Sequence, residues 1–399
     1  HFAGGTGHQV GQNSGTDAQN FAQRNTLSNL ATAIQIDNAV DATTLDINYN
    51  DLKTNNTLAI DNNDADGLLP ATKNLFHDES STTDPIAKVD NNANLVNYAP
   101  WCSANDCTSF TQDISNTNQS KYYGAGQFDR ALTEAAGGNT LTFDNAITYA
   151  SKTINKAITI TGNNNATFST ALTISAAATL DNVNINADTD ITAGATIKNS
   201  DITKTLTINA NDITIGTSGN RNTFSLVGGD TGITSDSSNT DNITGLNISF
   251  NDFESSDAGA YTGIDLGNDF ASNAITLTDN DMTTPITVGI KLASGTATIT
   301  QSNITSAGPA GIGIHFAGGT GHQVGQNSGT DAANFAQRNT LSNLATGIQI
   351  DNAVDATTLD INYNDLKTNN TLAIDNNDAD GLLPATKNLF HDASSTTDP

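Results

Sequence analysis

The sequence predicts an all-β fold, a solenoid of the parallel β-helix type. Three observations predict it: a composition unsuited to a round core, short Thr/Ile clusters set between polar turns, and two motifs that recur at coil-like spacing. Only 14% of the 399 residues are charged and 6% are aromatic. A thick globular core needs more large apolar side chains, and disorder comes with more charge and less β-branching. Thr205-Leu206-Thr207-Ile208 and Ala297-Thr298-Ile299-Thr300 read as short strands. The Asn, Asp and Gly between such clusters read as turns. Many small strands with tight polar turns suit a thin core stacked along one axis.

The first motif is Gly-Ile-x-apolar. It occurs at Gly263-Ile264-Asp265-Leu266, Gly289-Ile290-Lys291-Leu292, Gly311-Ile312-Gly313-Ile314 and Gly347-Ile348-Gln349-Ile350. Its Ile positions are 264, 290, 312 and 348, and Leu372 continues the register without the Gly. The second motif is apolar-x-x-Asn-x-apolar, centred on Asn251, Asn280 and Asn364, with shorter forms at Asn339 and Asn388 and Ser302 in the Asn place. A period of about 22–29 residues matches a coil of three short strands. Alternate residues then point inward, so Ile, Leu, Val and Phe stack into a continuous core. Asn tolerates a left-handed bend, and its amide can bond to the Asn above and below as a ladder. Asn251, Asn280, Asn339, Asn364 and Asn388 are the expected ladder. Asn116, in a polar stretch, is expected at the surface.

A longer period encloses this one. Residues 1–85 return at 315–399, an offset of 314, with changes only at Gln19/Ala333, Ala33/Gly347 and Glu79/Ala393. Near-identity points to a recent or homogenised tandem duplication, so the chain is expected to be a window on an array of 314-residue modules. A Gly-rich insertion, roughly 317–336, accounts for the one long motif spacing.

These motifs, over roughly 140–399 and 1–85, resemble the right-handed parallel β-helix proteins of the pectin-lyase-like superfamily. Gln127–Phe143 is similar to the amphipathic helix and first strand that open such domains. Phe128 and Leu132 lie on one helical face, and Gly137-Gly138 stop the helix. Val96-Asn97-Tyr98-Ala99-Pro100-Trp101 resembles a terminal Tyr-x-Pro-Trp segment. The implied organisation is the C-terminal part of one module at 1–101 and a linker at 102–126. The next module follows at 127–399, with a capping helix at about 127–136 and coils at about 140–399. Trp101, Phe128 and Leu132 are the expected cap residues. Cys102 and Cys107, with no His nearby to complete a zinc site, are an expected disulfide.

Catalytic signatures are sparse. The calcium-dependent lyases of this superfamily pair an Asp cluster with a basic residue. Arg24, Arg130, Arg221 and Arg338 are the only Arg residues, and none lies beside an Asp cluster along the sequence. Of the polygalacturonase motifs only Asn239-Thr240-Asp241 occurs, in a Ser/Asn-rich stretch. No carboxyl pair is singled out for hydrolysis. The chain is therefore expected not to be an enzyme. Asp61, Asp64 and Asp66, repeated as Asp375, Asp378 and Asp380, alternate like ligands of a calcium loop, or form a solvated acidic turn; calcium is the one cofactor expected. Asn-x-Ser/Thr sequons at Asn55, Asn118, Asn165, Asn242, Asn247, Asn303 and Asn369 permit glycosylation.

With 42 acidic and 15 basic residues the formal charge is -27. That disfavours nucleic acid, which is not expected as a partner, and no apolar run approaches membrane-spanning length. The expected role is structural: one unit of a long extracellular or cell-surface fibre, whose partners are other copies joined end to end. The alternatives are an adhesin that binds glycan or another cell surface through the insertion, and a polysaccharide lyase or hydrolase. Thr-x-Thr pieces also bring ice binding to mind, but their uneven sequence spacing argues against an ordered Thr array.

Overall fold

The computed structural model describes all residues except 12, 13, 15, 16, 55, 65–68, 77–87, 92–95, 99–100, 103–109, 112–113, 118–120, 123–126, 145, 236–241, 271–273, 284, 309, 327, 367–369, 380–381 and 391–399. The chain is mostly β and divides into two compact units, His1–Ala146 and Ile147–Pro399.

In the second unit successive short strands are laid onto three ladders, and every ladder pairing among its described residues is parallel. One runs from Ile154 through Ile174 and Ile191 to Ile208. A second takes Ile160, Leu180, Ile197, Ile215 and Ile248 in turn. A third takes Phe168, Ile185, Ile202, Phe224 and Phe253. All of these side chains are buried. Each strand alternates one inward and one outward residue, so identical positions fall on top of one another and the core is a column. Phe224 and Phe253 show the packing, with rings stacked 4.4 Å apart. The result is a solenoid-like, all-β arrangement.

The length of chain per round is not constant. Ile174 to Ile191 takes 17 residues, whereas Ile314 to Ile348 takes 34. The excess leaves the ladder as loops. The longest round holds the Gly-rich insertion and its helix Asp331–Ala336, capped by Thr330, whose side chain accepts from the Ala333 amide.

The register of the Gly-Ile motif differs from the sequence reading. Ile290 pairs with Ile314, not Ile312, and Ile348 pairs with Ile374, not Leu372. Ile312 pairs instead with Val288 and Thr346. A slip of two residues keeps the same face inward, so alternation alone does not separate the two registers. The correct register also explains the glycines. A Cβ on Gly263 would sit 2.7 Å from the Gly289 carbonyl oxygen, and on Gly289 it would sit 2.6 Å from that of Gly313. Gly311, by contrast, is a turn residue with φ +77°.

The first unit repeats this logic with the duplicated sequence. Thr32–Ile36, Leu58–Asn62 and Val89–Asn91 form one parallel ladder, with Ile34 on Ile60 and Ile60 on Val89. Gln9–Val10 pairs with Asp46–Ile47, and Leu69–Pro70 with Val96–Asn97. Trp101 closes the core beside Tyr98, their ring centroids 6.2 Å apart, over Phe76 and Leu69.

Residues 102–126, expected to be a linker, contain strands where they are described. Phe110–Thr111 pairs antiparallel with Trp101–Cys102. Ile114–Asn116 pairs antiparallel with Lys121–Tyr122 and Thr140–Phe143. Ile114 is buried, and so is Asn116, which is not the surface residue expected. The helix, Gln127–Glu134, belongs to this first compact unit. Phe128 and Leu132 are buried, and the Phe128 ring lies 5.8 Å from that of Phe143.

Candidate functional site

The most ordered polar feature is a file of buried amides. Asn222 donates from Nδ2 to Asn251 Oδ1 (3.0 Å), and Asn251 donates likewise to Asn280 (2.9 Å). The Asn280 amide N–H donates to Ser302 Oγ (3.3 Å), and the Ser302 N–H to Asn339 Oδ1 (2.9 Å). Asn339 donates to Asn364 (2.9 Å), and Asn364 to Asn388 (3.0 Å). Each side-chain amide also donates to a main-chain carbonyl, Ile215 for Asn251, Ile248 for Asn280 and Val324 for Asn364, while the step from Asn280 to Ser302 is made by the main-chain N–H of Asn280. The first unit carries the same file at Asn25, Asn50 and Asn74. The five expected ladder residues thus lie in one continuous file, with Ser302 as its hydroxyl step.

The bend is made differently from the expectation. At Asn251, Asn280, Ser302, Asn364 and Asn388 the left-handed residue is the one before: Phe250, Asp279, Gln301, Tyr363 and Lys387, with φ between 55° and 59°. The Asn itself keeps ordinary backbone geometry and turns inward, where its side-chain oxygen accepts and its nitrogen donates.

On the outer face of the same bend stands a cluster that sequence inspection missed. Arg221 Nε and Nη2 grip Asp252 (2.9 and 2.6 Å), Nη1 reaches Asp279 (2.8 Å) and Nη2 reaches Asp281 (2.9 Å). These partners lie 31, 58 and 60 residues away along the chain, one and two rounds up the ladder. The reading that no Arg stands beside an Asp cluster is therefore corrected. Solenoid stacking, not local sequence, brings them together. The chemistry does not favour a catalytic base. The hydrogen bonds it donates to Asp252, and then that to Asp279, hold the guanidinium even further above its ordinary value, against the opposing effect of burial. Burial pushes the Asp281 carboxyl up, with Arg221 opposing. The group acts as a clamp across three rounds.

The acidic loops serve the fold. Asp64 Oδ2 accepts from the Ala42 amide at 3.0 Å, and Asp378 Oδ2 from Ala356 at the same distance, each satisfying the start of a 3₁₀ turn. Asp61 stands on the strand Leu58–Asn62, and Asp375 on the strand Leu372–Asn376. Asp66 and Asp380 lie outside the described residues, as does Cys107. Among the described residues no three metal-ligating groups cluster.

Two further features emerge from the register. The outward positions Thr159, Thr179, Thr196, Thr214, Asn247, Thr276 and Thr298 form one uninterrupted file. Neighbouring members are roughly 4.8 Å apart, the strand spacing. Uneven sequence spacing is therefore no bar to stacking Thr on Thr, because loops absorb the excess residues, although Asn247 interrupts the run of hydroxyls. Beside Thr179 and Thr196 the turns are built of Ala177, Ala178, Gly194 and Ala195 and leave a groove of about 460 Å³. In the insertion, His322 is buried against Phe316, with ring centroids 4.5 Å apart. Its Nδ1 accepts from the Ala297 amide (3.1 Å), so Nε2 carries the proton toward the Gly318 carbonyl (3.0 Å). Burial lowers the His322 pKa.

Among the described residues no helix is long and apolar enough to cross a membrane. No family model, curated protein or solved structure matches the chain.

Proposed function

We propose that the chain is a structural unit of a long extracellular or cell-surface fibre, built from near-identical right-handed parallel β-helix modules of period 314. The observation that carries this reading is that the duplicated sequence builds the same parts twice. The Asn25–Asn50–Asn74 file recurs as Asn339–Asn364–Asn388, and the Asp41-capped turn recurs at Asp355. Units whose rounds contact only their neighbours can be multiplied without redesigning a core. The buried polar file and the Arg221 clamp both run along the stacking direction, where they tie round to round. In this reading Cys102 and Cys107 form a disulfide that secures the module end, the acidic loops are turns that calcium can reinforce, and the partners are further copies. Electron microscopy of the native protein tests it: filaments or long rods are expected, and globular monomers would reject it.

A second reading, a glycan-binding adhesin, is favoured by the hydroxyl file and the groove beside Thr179 and Thr196. The insertion gives it less support, since in the first copy Phe21 is buried in a cluster with Tyr49, Leu75 and Cys102. A glycan array probed with the full chain decides between the two. A lyase is disfavoured because Arg221, the Arg set among carboxylates across stacked rounds, is fully engaged by them.

A further inference from the structure

The Asn-x-Ser/Thr sequons do not stand in equivalent places, and the fold separates them. Asn55, Asn118 and Asn369 lie outside the described residues. Asn165 and Asn247 are half-buried, and Ser249, the hydroxyl residue of the Asn247 sequon, is buried and donates to Asn247 Oδ1 at 2.5 Å. Asn242 is exposed but engaged with another residue. Asn303 differs from all of these. It is exposed, between the buried Ser302 and Ile304, at the start of the short strand Asn303–Thr305. That strand continues the third ladder: Asn303 pairs with Asp281 on one side and Thr340 on the other, and Ile304 with Met282 and Leu341. With Ile304 turned into the core, alternation sets Asn303 outward. Its Oδ1 accepts from Thr305 Oγ1 at 3.2 Å, which leaves Ser342 Oγ to donate to Thr305 Oγ1 at 2.9 Å. Among the described residues Asn303 Nδ2 makes no hydrogen bond.

We propose that Asn303 is an N-glycosylation site and carries an oligosaccharide on Nδ2. The inference rests on the extracellular part of the fibre reading, which takes the chain through a compartment where such transfer occurs. The donor is a sugar activated as a polyprenyl phosphate or diphosphate ester, and a membrane glycosyltransferase supplies the catalysis. The bond from the anomeric carbon to the phosphate oxygen breaks as the bond from that carbon to Nδ2 forms. Nδ2 gives up one proton to a base of the transferase, the lipid phosphate leaves with the electron pair, and nothing is oxidised or reduced. Transfer to an extended chain needs only the Asn-x-Ser/Thr motif. The fold decides whether the bulky, solvated product is accommodated. At Asn303 the sugar displaces no hydrogen bond, because Nδ2 is unengaged and Oδ1 keeps its bond to Thr305. At Asn247 it would stand in the file between Thr214 and Thr276. In the fibre reading the site recurs once per repeat, on the outer face of the third ladder, and holds that face in solvent.

The test is peptide mapping by mass spectrometry on protein isolated from its native source, with intact glycopeptides fragmented to locate the attachment. The expected result is a sugar mass on Asn303 in most molecules and none on Asn247. Thr305→Ala made in the same cells should lower occupancy at Asn303 by about tenfold or more, whereas Thr305→Ser, which keeps the hydroxyl, should retain it. That pair separates enzymatic transfer, which reads the hydroxyl, from chemical glycation, which attacks lysine. A bare Asn303 in native protein would overturn the proposal, and so would equal occupancy in the Ala and Ser variants. Rods with a bare Asn303 would leave the fibre reading standing without the glycan. Globular monomers with Asn303 occupied would reject the fibre and keep the site.

Discussion

Asn251 and Asn280 are joined by a 2.9 Å hydrogen bond from the amide of one to the carbonyl oxygen of the other, although 29 residues separate them. Both are fully buried. Each side-chain amide donates to a main-chain carbonyl, that of Ile215 for Asn251 and that of Ile248 for Asn280, so the file satisfies polar groups that a sharp bend would otherwise strand in the core. A buried donor or acceptor left unpaired costs about 1–3 kcal/mol.

That cost sets the first prediction. Asn280→Leu removes one acceptor from the Asn251 amide and the side-chain donor to the Ile248 carbonyl, and Asn364→Leu does the same to Asn339 and Val324. Each should lower unfolding stability by about 1–3 kcal/mol. Asn268→Leu, at an exposed position, should change it by less than about 0.5 kcal/mol. Denaturant titration of the three variants measures this, and equal midpoints would reject the ladder as a source of stability.

How much of this was legible beforehand depends on whether the signal is local. Alternation within Thr205–Ile208 or Ala297–Thr300 is local, and so is the Asn beside an apolar pair; both led to the correct face and the correct file. The exact stacking partner is not local. Ile312 and Ile314 share a face, and only the close approach of Gly313 to the Gly347 carbonyl, at 2.6 Å for a Cβ, settles which one continues the column. The Arg221 cluster and the Thr159–Thr298 file were invisible for the same reason, since rounds of 17 to 37 residues carry their members to distant places in the sequence. The strands within 102–126 were missed because they are two or three residues long and set among polar residues.

The Arg221 clamp predicts a salt-dependent loss. Arg221→Ala leaves Asp252, Asp279 and Asp281 facing one another without a counter-charge. Stability should fall by about 1 kcal/mol, and the deficit should be larger at low ionic strength, where repulsion is unscreened. Melting curves of wild type and variant across a salt series provide the check. A deficit independent of salt would show that the clamp acts by packing alone.

His322 predicts a pH effect of definite sign. Its folded pKa is lowered from the ordinary 6.5 by burial, and protonation at Nδ1 would set a proton against the Ala297 amide. Above about pH 6.5 both folded and unfolded chains hold it neutral and its contribution is complete. As pH falls through that value the unfolded chain takes up the proton first, so stability declines until the folded pKa is passed. Unfolding midpoints measured from pH 8 to 5 should fall more steeply for wild type than for His322→Asn; parallel slopes would contradict the assignment.

The cysteine pair predicts a covalent staple at the module end. Cys102 is buried beside Phe21 and Tyr49, and Cys107 lies five residues on. Mass spectrometry of native protein without reductant should find the two bridged, and reduction should cost about 2–3 kcal/mol by releasing a short loop. Two free thiols in native material would count against an extracellular end-staple.

The proposed fibre requires near-identical modules to join into one stiff solenoid and not into beads on a flexible tether. Small-angle scattering from a protein of two complete 314-residue repeats addresses it most directly. Docked modules predict the distance distribution of a single extended rod, with one cross-section and a maximum dimension close to twice that of one module. Two compact peaks of variable separation would contradict it.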